Sequence, residues 1–180
     1  MREVEVKHQV RDKEALLVAL KRRGIELAAP VYQDDQAYAP DGWSYGDAKL
    51  GVAFARLRTV DDRHTFTLKR PAENALSCDE YETAVADREQ MDQAILAMGF
   101  CPTVRIAKVR RTAALDGLVL CVDEVEGLGT FLELERMVPD GTSGDAVQAE
   151  IAVFVVSPDV EAERTWETYD SLVRAALASA

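Results

Sequence analysis

From residue 3 to residue 135, one segment after another alternates ionised and apolar side chains with a period of two, and this repetition restricts the fold more than any other feature. Glu3, Glu5 and Lys7 alternate with Val4 and Val6, Arg56 and Arg58 with Ala55 and Leu57, and Glu133 and Glu135 with Leu132 and Leu134. Lys69, Glu80, Glu82, Lys108, Arg110 and Asp123 stand in the same kind of pattern, beside Leu68, Val109 and Val122. A strand turns successive side chains to opposite faces, so each segment predicts a strand with one charged face. In an ordinary half-buried sheet the polar face meets solvent and needs no consistency from strand to strand. Here it is ionised repeatedly. If the apolar faces pack on helices, the charged faces line the interior of a closed sheet. Acids and bases there are costly to desolvate unless water, opposite charge, metal or ligand compensates them.

The rest of the chain supplies the packing. Asp12 reads as the N-cap of a helix running to about residue 23, with Leu16, Leu17 and Leu20 on its apolar side and Gly24 as its stop. A strand is expected near 32–38. Residues 39–51, with Pro40, Gly42, Gly46 and Gly51, form a long connection carrying Trp43 and Tyr45. A hairpin turns at Asp61-Asp62, and a second helix spans 87–98 before Gly99. Strands at 105–112, 118–123 and 130–138 follow, the last two joined through Gly127-Leu128-Gly129. The end reads as two helices, 143–156 and 160–178, broken at Ser157-Pro158, with Trp166 packing the second. The expected fold is α+β: an eight-stranded antiparallel β-barrel with flanking and C-terminal helices, one domain over residues 1–180.

The net charge of −11 argues against nonspecific nucleic-acid or anionic-membrane binding, so an anionic ligand must be held by a local basic cluster. Cys78, Cys101 and Cys121 lack metal-ligand spacing and read as reduced thiols. The charged N-terminus has no export signal, and a cytoplasmic location is expected. His8 and His64 have no partners at suggestive spacing and receive no role.

Carboxylates hold Mg²⁺ or Mn²⁺ through oxygen, while Arg and Lys neutralise phosphate, Arg by a bidentate fork. Six of the 21 basic residues, Lys7, Arg56, Arg58, Lys69, Lys108 and Arg110, stand on the alternating faces. Such a lining is suited to a ligand site, and the overall acidity of the chain does not oppose a polyphosphate there.

The ordered set Glu3-x-Glu5-x-Lys7, Arg56-Leu57-Arg58, Thr67-Leu68-Lys69, Glu80-Tyr81-Glu82, Lys108-Val109-Arg110-Arg111 and the block from Asp123 to Glu135 resembles the CYTH superfamily of triphosphate tunnel metalloenzymes, most closely its class IV adenylyl cyclase-like branch. The superfamily also includes thiamine triphosphatases and inorganic triphosphatases. The resemblance implies that Glu3, Glu5, Glu133 and Glu135 hold the metal. It implies that Lys7, Arg56, Arg58, Lys69, Lys108 and Arg110 bind the triphosphate, and that Glu80, Glu82 and Asp123 complete the acidic lining. Lys7 or Lys69, crowded by cations, is expected to have a lowered pKa and to act as the catalytic base. By the same crowding, Arg58→Ala or Lys108→Ala is expected to leave the fold intact. Cys78 and Glu167 stand where many members carry a basic residue. The expected activity is triphosphate hydrolysis, or cyclisation of ATP to cyclic AMP and pyrophosphate, and the partner is a small-molecule polyphosphate or organic phosphate ester. An enzyme of specialised metabolism acting on an organic diphosphate, and a noncatalytic polyphosphate or nucleotide sensor, are the alternatives. The oligomeric state, a homodimer included, is left open.

Overall fold

The computed structural model describes residues 1–153 and 160–179. In chain order the elements are β1 (Arg2–Val10), α1 (Lys13–Arg22), β2 (Val31–Pro40), β3 (Phe54–Val60), β4 (Arg63–Pro71), β5 (Ser77–Val85), α2 (Arg88–Ala97), β6 (Phe100–Leu115), β7 (Leu118–Val125), β8 (Gly129–Val138), α3 (Gly144–Ala152), β9 (Ala162–Thr165) and α4 (Tyr169–Ser179). Local chemistry fixes many of the boundaries. Asp12 and Asp87 cap α1 and α2 by accepting from the amides of Ala15 at 2.9 Å and Gln90 at 3.0 Å. The β3–β4 hairpin turns through Asp61 at φ +49°, a left-handed conformation that aspartate tolerates better than a β-branched residue.

Strands β5-β4-β3-β2-β6-β7-β8-β1 lie in that order, and pairing of β1 with β5 closes them into an eight-stranded antiparallel barrel. The apolar faces point outward under the helices. Val4, Val6, Leu120, Val122, Leu132 and Leu134 pack with Leu16 and Leu20 of α1 and with Val147 and Ile151 of α3. Tyr38, Ala55 and Leu57 pack with Ile95 of α2. Each fully buried aliphatic side chain contributes about 1.5–3 kcal/mol, so a one-residue slip that turned these faces inward would cost far more than any single ion pair returns. This burial is what forces the ionised faces into the lumen.

The closing seam is short. Arg2, Glu3 and Val4 pair with Asp79, Cys78 and Ser77 of β5, while Lys7 to Val10 pair on the same edge of β1 with β9. The helix expected over 160–178 is therefore corrected: a four-residue strand precedes α4, which begins at Tyr169. Ala-Glu-Arg-Thr has no strand signature of its own, but the edge of β1 beyond the β5 seam offers unpaired backbone groups, and this tertiary demand overrides composition. Trp166 precedes the helix, is 55% exposed and stacks beneath the Arg164 guanidinium at 3.7 Å, so it packs no helix. The expected break at Ser157-Pro158 and the end of the helix expected over 143–156 lie outside the described residues. Strand β6 is longer than expected at both ends, 16 residues, with a register shift against β2 between Gln36 and Tyr38. Among the described residues no helix is long and apolar enough to cross a membrane.

Candidate functional site inside the barrel

The barrel encloses a cavity of about 430 Å³, in the range of small-molecule sites. Its wall brings together Glu3, Glu5, Lys7, Arg56, Arg58, Lys69, Glu80, Glu82, Lys108, Arg110, Glu133 and Glu135, twelve of the thirteen residues expected there. Asp123 is the exception. It is fully buried behind the wall, where Oδ2 accepts from Lys108 Nζ at 2.9 Å, Arg110 Nη2 at 2.6 Å and the Tyr169 hydroxyl at 3.0 Å, and Oδ1 accepts from Arg110 Nε at 2.7 Å. Asp123 therefore orients two bases without lining the lumen.

Register explains the clustering. Glu5 lies opposite Glu135 and Lys7 opposite Glu133 across the β1–β8 ladder, and Arg110 lies opposite Asp123 across β6–β7. Lys7 Nζ sits 3.0 Å from Glu5 Oε1 and 3.2 Å from Glu133 Oε1, and donates to the Glu167 carbonyl at 3.3 Å. Arg110 also reaches Glu133 and, at 3.0 Å, Glu135. Lys69 bridges Glu3 at 2.7 Å and Glu80 at 3.0 Å. Burial works against ionisation of Glu3, yet Lys69 and Arg56 outweigh it and hold that carboxyl down at about 2. Burial has the opposite result at Glu135: with Glu133, Glu3 and Glu5 nearby it pushes the carboxyl up to about 7 against the pull of Arg110.

These pairings correct two expectations. Burial disfavours the charge on Lys7 and Lys69, but Glu5 and Glu133 around the first, and Glu3 and Glu80 around the second, raise both above the ordinary lysine range. Neither is a low-pKa base; the lysine that burial and then Arg110 lower is Lys108. Nor is the lumen a crowd of unpaired cations. Arg58→Ala or Lys108→Ala would strip a partner from Asp35 or Asp123, both buried, so neither variant is expected to leave the fold intact.

Asp35 of β2 was not singled out in the sequence. It is 2% exposed and takes both forks of Arg58 at 2.7 Å, which holds its carboxyl below the usual range despite burial. Its signal was the period-two face Gln33-Asp35-Ala37, weakened by two uncharged members. Tyr169 is a second such residue: its ring lies 4.1 Å from Lys7 Nζ and 4.6 Å from Lys108 Nζ, stabilising two ammonium groups over one π face or the other.

Lys49, in the β2–β3 loop, is the third. Its Nζ lines the cavity and donates to Thr168 Oγ1 at 2.8 Å, Ser171 Oγ at 2.7 Å and Asp170 at 3.3 Å, tying the loop to the start of α4. Lys49→Met is expected to speed amide hydrogen exchange across residues 41–53 while leaving exchange in β7 and β8 unchanged. Glu167 contributes its backbone carbonyl to Lys7, and Cys78 stands in the wall with burial pushing its thiol up to about 12.

The wall carries seven bases and eight carboxylates, so on its own it does not favour a polyanion. A divalent cation fits this balance. Glu3, Glu5, Glu133 and Glu135 form an all-oxygen donor set on two adjacent strands, and Glu5 Oε1 is buried without a well-directed hydrogen bond although Lys7 is near. Among the described residues no three acidic, histidine or cysteine side chains are gathered around a common point, because each carboxylate is turned to a base.

A CYTH domain matches residues 1–157, and the chain belongs to the CYTH family. A Methanocaldococcus jannaschii protein provisionally named adenylate cyclase is 29% identical over 153 residues, 84% of this chain and 86% of the relative. A Pyrococcus horikoshii protein of solved structure has the same fold, with a TM-score of 0.78 at 20% identity over 96% of this chain and 98% of that one. A Hippeastrum protein, provisionally an adenylyl cyclase and found to have a dominant triphosphatase activity, aligns with a TM-score of 0.62 at 16% identity over 96% of this chain and 95% of that one.

Proposed function

We propose that this chain is a metal-dependent enzyme that breaks a phosphoanhydride bond of a triphosphate-bearing small molecule inside the barrel. The observation that carries this reading is the convergence of six expected bases, and Lys49 as a seventh, on one enclosed cavity in a chain whose net charge is −11. A solvated face would not concentrate them. Phosphoryl transfer asks mainly for positioning and charge stabilisation, which guanidinium and ammonium groups supply.

Glu3, Glu5, Glu133 and Glu135 are the proposed ligands of Mg²⁺ or Mn²⁺, which when bound would neutralise phosphate charge. Were those carboxylates to hold the cation, Lys7, Lys69 and Arg110, now paired with them, would be free to donate to phosphate oxygens. Arg56 has one donor already free for this, its Nε being buried without a hydrogen-bond partner among the described residues. Arg58 is oriented by Asp35, and Lys108 and Arg110 by Asp123. Lys7 and Lys69 act as charged donors rather than as the base. With water as nucleophile at the terminal phosphorus the product is inorganic phosphate; with a ribose 3′-oxygen at the α-phosphorus the products are cyclic nucleotide and pyrophosphate. The Methanocaldococcus relative's name favours the second and the Hippeastrum protein's activity the first.

Incubation with ATP, thiamine triphosphate and tripolyphosphate in Mg²⁺ or Mn²⁺ is expected to give turnover that EDTA abolishes, and phosphate, pyrophosphate and cyclic AMP assays assign the bond broken. Binding without turnover would replace the enzyme by a sensor. Turnover that EDTA leaves untouched would remove the metal.

A further inference from the structure

Strand β1 has a gap in its pairing at the seam. Arg2 to Val4 pair on that edge with β5 and Lys7 to Val10 with β9, so among the described residues no strand lies against Glu5 and Val6 there. Buried backbone groups must still find partners. At Glu5 both are met by other means. Its amide donates to the Leu76 carbonyl of the β4–β5 loop at 2.9 Å, and its carbonyl accepts from Nε2 of Gln148, in α3, at 3.0 Å.

Gln148 is 2% exposed, and a carboxamide is costly to bury unless its hydrogen bonds are made. Beyond Glu5, its Nε2 reaches Asn74 Oδ1 at 3.2 Å and its Oε1 accepts from Asn74 Nδ2 at 3.0 Å. Asn74 in turn accepts from the Leu76 amide at 3.0 Å, so one glutamine fixes both the loop and the strand beside it. The helix that carries it is itself held. Ser143 caps α3 by accepting from the Ala146 amide at 3.3 Å, and Glu73 of the same loop accepts from the Gly144 amide at 2.9 Å. Gly144 lies one turn before Gln148 on the same face, where a Cβ would come within 2.2 Å of Ser77 Oγ, so α3 meets the start of β5 more closely than any other residue would allow. The Glu5 carboxylate has less to steer it. Its Oε1 is buried without a well-directed hydrogen bond among the described residues, which leaves more of its placement to the backbone.

We infer that Gln148 is a positioning residue for the metal site: by holding the Glu5 backbone it sets the Glu5 carboxylate for a cation shared with Glu3, Glu133 and Glu135. The inference rests on the metal reading proposed above and adds a residue that acts on the site from outside the barrel. Gln148 touches neither cation nor substrate. Its effect passes through the carbonyl of a single ligand residue, and groups that orient metal ligands in this way typically change affinity by ten- to a hundredfold when removed.

Titration of the metal-free protein with Mn²⁺, followed by loss of the electron paramagnetic resonance signal of free Mn²⁺, tests it without reference to turnover. Gln148→Met fills a similar volume but cannot donate, and is expected to raise the Mn²⁺ dissociation constant about tenfold. Ser143→Ala is the control for stability alone. It removes the cap of the same helix without touching Glu5, and is expected to lower the melting temperature while leaving Mn²⁺ affinity unchanged. Gln148→Asn, whose carboxamide stops one methylene short of the Glu5 carbonyl, is expected to lose Mn²⁺ affinity as Gln148→Met does, and it carries the test if Gln148→Met shows no cooperative melt. Wild-type Mn²⁺ affinity in the Gln148 variants, or an equal loss in Ser143→Ala, would overturn the positioning role while the metal site stands. A wild type that leaves the free Mn²⁺ signal untouched would overturn both.

Discussion

Asp123→Ala is expected to destabilise the barrel more than any other single change in the charged network. The carboxylate is fully buried and accepts four hydrogen bonds, from Lys108, from two nitrogens of Arg110 and from Tyr169. Alanine leaves a buried ammonium without its acceptor and frees the phenol that fixes the start of α4. Breaking a buried ion pair from one side costs about 3–5 kcal/mol, which for a chain of this size is a fall in melting temperature of roughly 10 °C. Asp123→Asn keeps the shape and one acceptor oxygen, so its loss should be smaller. Thermal melting followed by circular dichroism reads both. A melt of Asp123→Ala within a degree or two of the wild type would mean that water solvates the network behind the wall.

Arg56→Ala is expected to have the opposite profile, with the fold retained and triphosphate binding reduced about ten- to a hundredfold. Among the described residues no fully buried carboxylate takes a hydrogen bond from Arg56. Its Nη2 donates to Thr67 Oγ1 at 3.0 Å and lies a loose 3.5 Å from Glu82 and 3.7 Å from Glu80, while its Nε is buried without a hydrogen-bond partner among the described residues. The guanidinium is therefore available to an incoming anion without first abandoning a strong pair. One charge-assisted hydrogen bond to phosphate in such an enclosed site is worth about 1.5–3 kcal/mol, the origin of the expected factor. A melting curve superimposable on that of the wild type, alongside weakened calorimetric binding, is the expected pair of results. Arg58 and Lys108 cannot separate binding from stability in this way, because Asp35 and Asp123 depend on them.

The strands were readable because burial repeats along the sequence. Val4 and Val6, Ala55 and Leu57, and Leu132 and Leu134 mark outward faces at period two, and their partners at the intervening positions must then face inward whatever their chemistry. Those intervening residues carried the ionic wall, so the site was legible to the same extent as the sheet. What was not legible depends on contacts distant in sequence. Strand β9 exists because β1 pairs with β5 over only Arg2, Glu3 and Val4, a fact of barrel geometry that leaves no trace in Ala162–Thr165. Lys49 is a loop lysine without periodicity, and its place at the cavity follows from where α4 ends up. The raised pKa values of Lys7 and Lys69 were missed for a related reason. Counting cations overlooks Glu5, on the strand face of Lys7 itself and 3.0 Å from it, as well as Glu133 and Glu80, which adjacent strands bring within 3.2 Å of Lys7 and 3.0 Å of Lys69.

The most direct test of the ionic wall as a polyphosphate site is titration of the wild type and Arg56→Ala with ATP and with tripolyphosphate, in Mg²⁺ and again in EDTA. Saturable binding by the wild type that weakens at least tenfold on removing either the metal or the Arg56 guanidinium, with both proteins melting alike, is the expected result. Binding that is absent in every condition, or that is indifferent to Mg²⁺ and to Arg56, would contradict it.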